Sequence, residues 1–270
     1  MMKCFTFMLD HVEECWVDAY VQTSWYWGEI EKRTLPAVVI CPGGGYAHVS
    51  DREGEPVARE YFSAGYHVFI LHYSLMEWAS GFRPLCQLAA AVAYIRENAA
   101  KWQVDSEKIA VCGFSAGGHL AASLGILWNH ERFLNVWKRT ENIRPNALIL
   151  GYPVILSDEF AHVDSIERSS GAKAGTKEYE WFGLAQHISK ETPPTFLWHT
   201  AADSLVPVEN SLAFAAGLSR EKVPFELHIL PEGEHGMSTC TREVGTFDPY
   251  NARWLEWSII WLNKVFCFEK

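Results

Sequence analysis

Long basic runs are missing from the 270 residues, and acidic side chains outnumber basic ones 33 to 23, for a formal net charge of −10. A surface of that sign repels phosphate backbones and anionic headgroups, so no nucleic acid and no membrane partner is expected, and a neutral or weakly charged small molecule fits better. No apolar stretch is long enough to cross a bilayer. The opening MMKCFTFMLDHVEEC has one early lysine and a short apolar patch broken by Asp10 and two glutamates, and so lacks the apolar core and cleavage site of a secretory signal. Close cysteine pairs are also absent: the seven cysteines, at 4, 15, 41, 86, 112, 240 and 267, are odd in number and scattered, unlike a disulfide framework or a zinc site. These absences predict a soluble chain in a reducing cytoplasm that needs no metal and no cofactor, with a homo-oligomer left open. Cys41 and Cys112 each precede a glycine-rich turn and read as small apolar fillers at strand ends rather than reactive thiols.

What is present is a globular composition, 49% hydrophobic and 21% charged, at a length that fits one large α/β domain over 1–270. LPAVVIC, residues 35–41, is a β-branched run closed by Pro42 and three glycines and predicts a buried strand. Further strands are predicted at 66–73, 108–112, 146–152, 195–200 and 225–230. A helix starts at Glu55 with Pro56 in its first turn. Pro84 opens a long one in which Leu85, Leu88, Ala89, Val92, Ile95, Ala99 and Trp102 recur every three or four places. HLAASLGILW, 208–222 and the tryptophan-rich 251–266 are helical too. This alternation predicts the α/β class: a mainly parallel central sheet in a three-layer α/β/α sandwich. Residues 157–192 carry weak pattern and are too long for an ordinary connection, which predicts a lid or cap.

In open α/β sheets the working groups collect beyond the carboxyl ends of strands. GFSAG, residues 113–117, lies there, between a predicted strand and a predicted helix. In that context G-x-S-x-G forms a strained elbow, with small neighbours so that the turn can close, and presents Ser115 as nucleophile. A serine needs a base within hydrogen-bond reach. His72, His199 and His228 lie inside apolar strands as core histidines, and His119 follows the elbow with no defined direction. His235, in the polar loop PEGEHGM after a strand, has Gly233 and Gly236 to free its placement and is the candidate base. Asp203, after the strand TFLWHT, is the candidate carboxylate that fixes the imidazole tautomer. Glu232 and Glu234 are nearer only along the chain, and Asp158 is a substitute after an earlier strand. PGGGY, 42–46, follows the first predicted strand, and its bare backbone suits donation to a tetrahedral oxyanion. Gly44, Gly45 and the N–H of Ala116 are the candidate oxyanion hole. G-x-G-x-x-G and G-K-[ST] are both missing, so this glycine run is not read as a phosphate loop.

The order Ser115, Asp203, His235, together with the glycine loop, resembles the α/β-hydrolase superfamily, and within it esterases related to hormone-sensitive lipase. CPGGGYAHVSDREGEPVA, GFSAGGHLAA and TPPTFLWHTAADSLVPVENS are similar, more narrowly, to small bacterial carbohydrate acetylesterases and acetyl xylan esterases. Pro42 stands where the lipase loop has histidine, which turns the expectation away from lipids. The resemblance implies cleavage of short-chain esters, such as sugar acetates, through a serine-bound acyl intermediate, with a small ester as partner. An amide hydrolase such as an arylformamidase or small peptidase, and a non-catalytic binder on the same fold, are the alternatives. Trp78, Phe82, Trp181 and Phe182 are candidates for stacking on a substrate or for core packing. His48, Asp51, Arg52 and Glu53, beyond the glycine loop, are candidates for substrate contact or for a solvated surface loop.

Overall fold

The computed structural model describes residues 2–9, 15–23 and 34–269. Among them the apolar runs become eight strands: β1 (Met2–Met8), β2 (Trp16–Gln22), β3 (Leu35–Cys41), β4 (His67–His72), β5 (Val104–Phe114), β6 (Ala147–Gly151), β7 (Thr195–Thr200) and β8 (Phe225–Leu230). They form one sheet in the order β1-β2-β4-β3-β5-β6-β7-β8. β4-β3-β5-β6-β7-β8 are parallel, and β2 is antiparallel to both β1 and β4. Side chains of β3 alternate between two apolar cores, as successive Cβ atoms in a strand must. Ala37, Val39 and Cys41 meet Leu88 and Val92 of α2 (Arg83–Glu97) and Leu120 and Leu124 of α4 (Ser115–Leu127). Val38 and Ile40 meet Val57 and Tyr61 of α1 (Glu55–Ser63) and Trp254 and Leu262 of α9 (Arg253–Val265). Helices on both faces of a mainly parallel sheet make the three-layer α/β sandwich.

The structure departs from the sequence reading in several places. β1 and β2, not expected as strands, extend the sheet beyond β4. The helix expected to run from Pro84 to Trp102 ends at Glu97, because the Asn98 side chain donates to the Tyr94 carbonyl at 2.9 Å, and a separate turn, α3 (Ala99–Trp102), follows. A further helix, α5 (Glu131–Trp137), precedes β6. Residues 157–192 hold two short helices, α6 (Val163–Ser170) and α7 (Lys177–Trp181), whereas the helix expected over 208–222 is present as α8 (Glu209–Glu221), between β7 and β8. Cys41 and Cys112 are fully buried in the sheet, and burial pushes both thiols far above their ordinary range, as fits fillers. Among the described residues no helix is long and apolar enough to cross a membrane, and no group of three or more His, Cys, Asp or Glu could hold a metal ion.

Candidate active site

β5 passes into α4 without a connecting loop, and Ser115 takes the bend with φ 53°. A non-glycine residue in this left-handed region is held there by its surroundings. The neighbouring glycines are obligatory: a Cβ on Gly113 would lie 2.2 Å from the Gly117 carbonyl oxygen, and one on Gly117 would lie 2.1 Å from the Cys41 carbonyl oxygen. The end of β3 thus presses directly on the start of α4.

Ser115 Oγ lies 2.8 Å from His235 Nε2, and His235 Nδ1 lies 2.7 Å from Asp203 Oδ2. The structure therefore brings the three expected side chains together. Asp203 is enclosed by donors. Its Oδ1 accepts from the backbone N–H groups of Leu205 at 3.0 Å and Val206 at 2.9 Å. Its Oδ2 also faces His199 Nε2 at 3.3 Å. His199 must carry its proton on Nε2, because that nitrogen donates to the Val206 carbonyl at 2.9 Å, while Nδ1 accepts from Ser211 Oγ at 2.8 Å. Burial by itself would raise the Asp203 carboxyl. The hydrogen bonds from His199 and His235, with the Val206 N–H, outweigh it and hold the group well below the usual carboxylate range. An ionised Asp203 only accepts, so the His235 proton sits on Nδ1 and leaves Nε2 free to take the serine proton.

The glycine loop is tied down from several directions. Gly43 N–H donates to Glu53 Oε2 at 2.7 Å, and Arg168 of α6 donates to the Gly45 carbonyl at 3.0 Å. Tyr46 Oη donates to His119 Nδ1 at 2.9 Å, and His119 Nε2 donates to the Phe182 carbonyl at 3.0 Å. His119, undirected in the sequence, thus links the glycine loop to the 157–192 segment. Burial lowers its pKa to about 4, despite the bond to Phe182. The N–H groups of Gly44 and Gly45 have no acceptor among the described residues. That of Ala116 is in the first turn of α4, where a helix offers no internal partner. Gly44 and Gly45 line the same cleft as Ser115, and Ala116 follows it in the chain.

Ser115 and His235 open into a cleft of about 520 Å³ whose lining includes the polar side chains of His48, Ser50, Arg52, His162, Asp164 and Arg168. Apart from its histidines this wall has no aromatic residue, and only Ala47 and Leu205 add apolar side chains. The four expected stacking aromatics lie elsewhere. Phe82 packs on Phe182 with centroids 5.4 Å apart and on Trp181 at 5.5 Å, beneath the guanidinium of Arg132. Trp78 is covered by Arg83 on the surface. Core packing therefore accounts for Phe82, Trp181 and Phe182. Of the four polar residues beyond the glycine loop, His48, Arg52 and Glu53 line the cleft, Glu53 from a nearly buried position, and Asp51 lines a separate groove. The remaining alternatives are engaged away from the serine: Asp158 with the Phe160 N–H, Glu234 with Ser204, His72 with Asp18 and His228 with Glu226. His162, which sequence reasoning missed, enters the cleft from the residue before α6.

The BD-FAE family profile matches residues 25–218, most of the chain and all of the elbow and glycine loop. The chain belongs to the BD-FAE family of α/β-hydrolase esterases. It is similar to endo-1,4-beta-xylanase B of Butyrivibrio fibrisolvens, 36% identical over 76% of this chain and 33% of that protein. It is also similar to the acetylxylan esterase of Xylanibacter ruminicola, 28% identical over 85% of this chain and 45% of that protein. The chain thus spans a third to a half of the length of these relatives. Among solved structures, an acetyl ester-xyloside bifunctional hydrolase from Caldicellulosiruptor lactoaceticus superposes with TM-score 0.83 at 31% identity, covering 100% of this chain and 97% of that one.

Proposed function

We propose that the chain is a serine carboxylic ester hydrolase that removes short acyl groups, acetyl above all, from a hydroxyl-rich alcohol such as a sugar. The observation that carries this reading is the unbroken hydrogen-bond chain Asp203–His235–Ser115 opening into a polar cleft. Ser115 Oγ attacks the ester carbonyl while His235 Nε2 takes its proton, and the N–H groups of Gly44, Gly45 and Ala116 receive the oxyanion. The imidazolium, stabilised by Asp203, returns the proton to the leaving alcohol. A water deprotonated by the same histidine then releases the acyl group from Ser115.

The alcohol preference is supported by the number of imidazole, guanidinium, hydroxyl and carboxylate groups along the cleft, which offer a polyol hydrogen-bond partners. The xylan-related names of the relatives support the same choice. Residues 157–192 act as the lid, contributing His162, Asp164 and Arg168 to the wall. Ser115→Ala tests the reading. Turnover of p-nitrophenyl acetate and of acetylated xylo-oligosaccharides should fall by at least about 10³-fold with an unchanged melting temperature. Turnover near wild type, or labelling of a residue other than Ser115 by a serine-directed phosphonate, would refute it.

A further inference from the structure

One buried carboxyl has no part in the proton transfers. Glu53 is 3% exposed, and among the described residues no lysine or arginine pairs with it. A carboxyl in such a position is costly unless its oxygens are engaged. Both are: Oε2 accepts the Gly43 N–H at 2.7 Å, and Oε1 accepts the Tyr152 hydroxyl at 2.7 Å. Gly43 begins the loop whose next two residues, Gly44 and Gly45, line the cleft. Tyr152 lies immediately after β6 at φ 35°, a conformation that its surroundings must impose. Its hydroxyl accepts the Ser238 N–H at 3.0 Å, three residues beyond His235, and its ring meets that of His235 edge-on, with centroids 5.0 Å apart at 70°. The adjacent Arg52 strengthens the same clasp, donating to the Gly236 carbonyl and accepting from the Ser238 hydroxyl through its own carbonyl.

We infer that Glu53, acting through Tyr152, is a positioning residue that fixes the spacing between the oxyanion donors and the general base. The inference rests on the reading of Ser115, His235 and Asp203 given above. Charge develops on the substrate oxygen and on the imidazole at the same moment, so their relative placement matters in the transition state and hardly at all for substrate binding. A carboxyl suits this position because both partners donate to it: the Gly43 N–H can only donate, and the Tyr152 hydroxyl, which accepts from Ser238, gives its proton to Oε1. An amide of the same shape can accept from one of them only.

The test compares Glu53→Gln, Tyr152→Phe and the double variant with wild type on p-nitrophenyl acetate. Rates are divided by the fraction of sites that a serine-directed phosphonate titrates, and melting curves are recorded in parallel. Each single variant is expected to lose about 10- to 100-fold in kcat per titrated site, with KM within about threefold. The double variant is expected to lose no more than the worse single one, because both changes break one linkage. Dividing by titrated sites removes any loss from misfolding. Wild-type kcat within about threefold in both singles, an effect confined to KM, or losses that multiply in the double variant would each overturn the inference. Ser115→Ala, run alongside, separates the two claims: full turnover there refutes the nucleophile itself, whereas loss there with intact Glu53→Gln and Tyr152→Phe refutes only the positioning role.

Discussion

Asp203→Asn replaces one carboxylate oxygen by an amide nitrogen, and the surrounding donors decide which. The Oδ1 site receives the Leu205 and Val206 N–H groups at 3.0 and 2.9 Å, so the amide oxygen must stay there. The NH₂ group then takes the Oδ2 site, 2.7 Å from His235 Nδ1 and 3.3 Å from His199 Nε2. Facing a donor, His235 Nδ1 becomes an acceptor, its proton moves to Nε2, and Nε2 can no longer accept from Ser115 at 2.8 Å. The variant therefore keeps its geometry and loses its base. A tautomer reversal of this kind in another serine hydrolase costs about 10⁴-fold in kcat, or roughly 5.5 kcal/mol at 1.36 kcal/mol per tenfold. The assay is steady-state hydrolysis of p-nitrophenyl acetate near neutral pH, with circular dichroism to check the fold. A loss below about tenfold, or one confined to KM, would refute the proton order argued here.

Gly117→Ala should destabilise the protein by at least about 2 kcal/mol in denaturant melts and depress turnover with it, since the new methyl would meet the Cys41 carbonyl at 2.1 Å and that atom belongs to the sheet. His67 and His119 are both buried and both lowered by burial from 6.5 to about 4. The unfolded chain takes up these protons first, so the stability they confer is complete above about pH 6.5 and is lost as pH falls toward 4, by roughly 3 kcal/mol each. Urea melts at pH 7 and pH 4.5 should show this loss, and His119→Gln should reduce it. Acetate esters should be hydrolysed faster than decanoate esters of the same alcohol, and the reverse ratio of kcat/KM would contradict the polar cleft as the binding surface.

The parallel half of the sheet was readable because fully buried strands are written as unbroken β-branched runs, as in LPAVVIC and YHVFILHY. β2 was not, although its signal exists: Val17, Ala19 and Val21 are buried and their neighbours are not, the alternation of a strand with one covered face. Ser115, His235 and Asp203, which the structure brings into hydrogen-bond contact, were readable from their places after strands. The residues that hold them were hidden for a common reason. Glu53 sits in a charged stretch, SDREGE, that reads as solvated surface, and its partners Gly43 and Tyr152, both outside that stretch, engage it internally. His199 reads as a core histidine and is one, yet its Nε2 also faces Asp203. For Phe82 and Trp181 the sequence left stacking and core packing both open, and only the contact between Phe82 and Trp181, the latter in the 157–192 segment, decides for packing.

The glycine loop is moored to the segment above it at two points, from Arg168 to the Gly45 carbonyl and from Tyr46 through His119 to the Phe182 carbonyl. A chimera that imports the corresponding segment from another family member inherits a mis-set loop unless it restores a cation at 168 and leaves a carbonyl over His119. A change in this segment is therefore also a change in the glycine loop, and a graft keeps the loop in place only if the mooring residues travel with it.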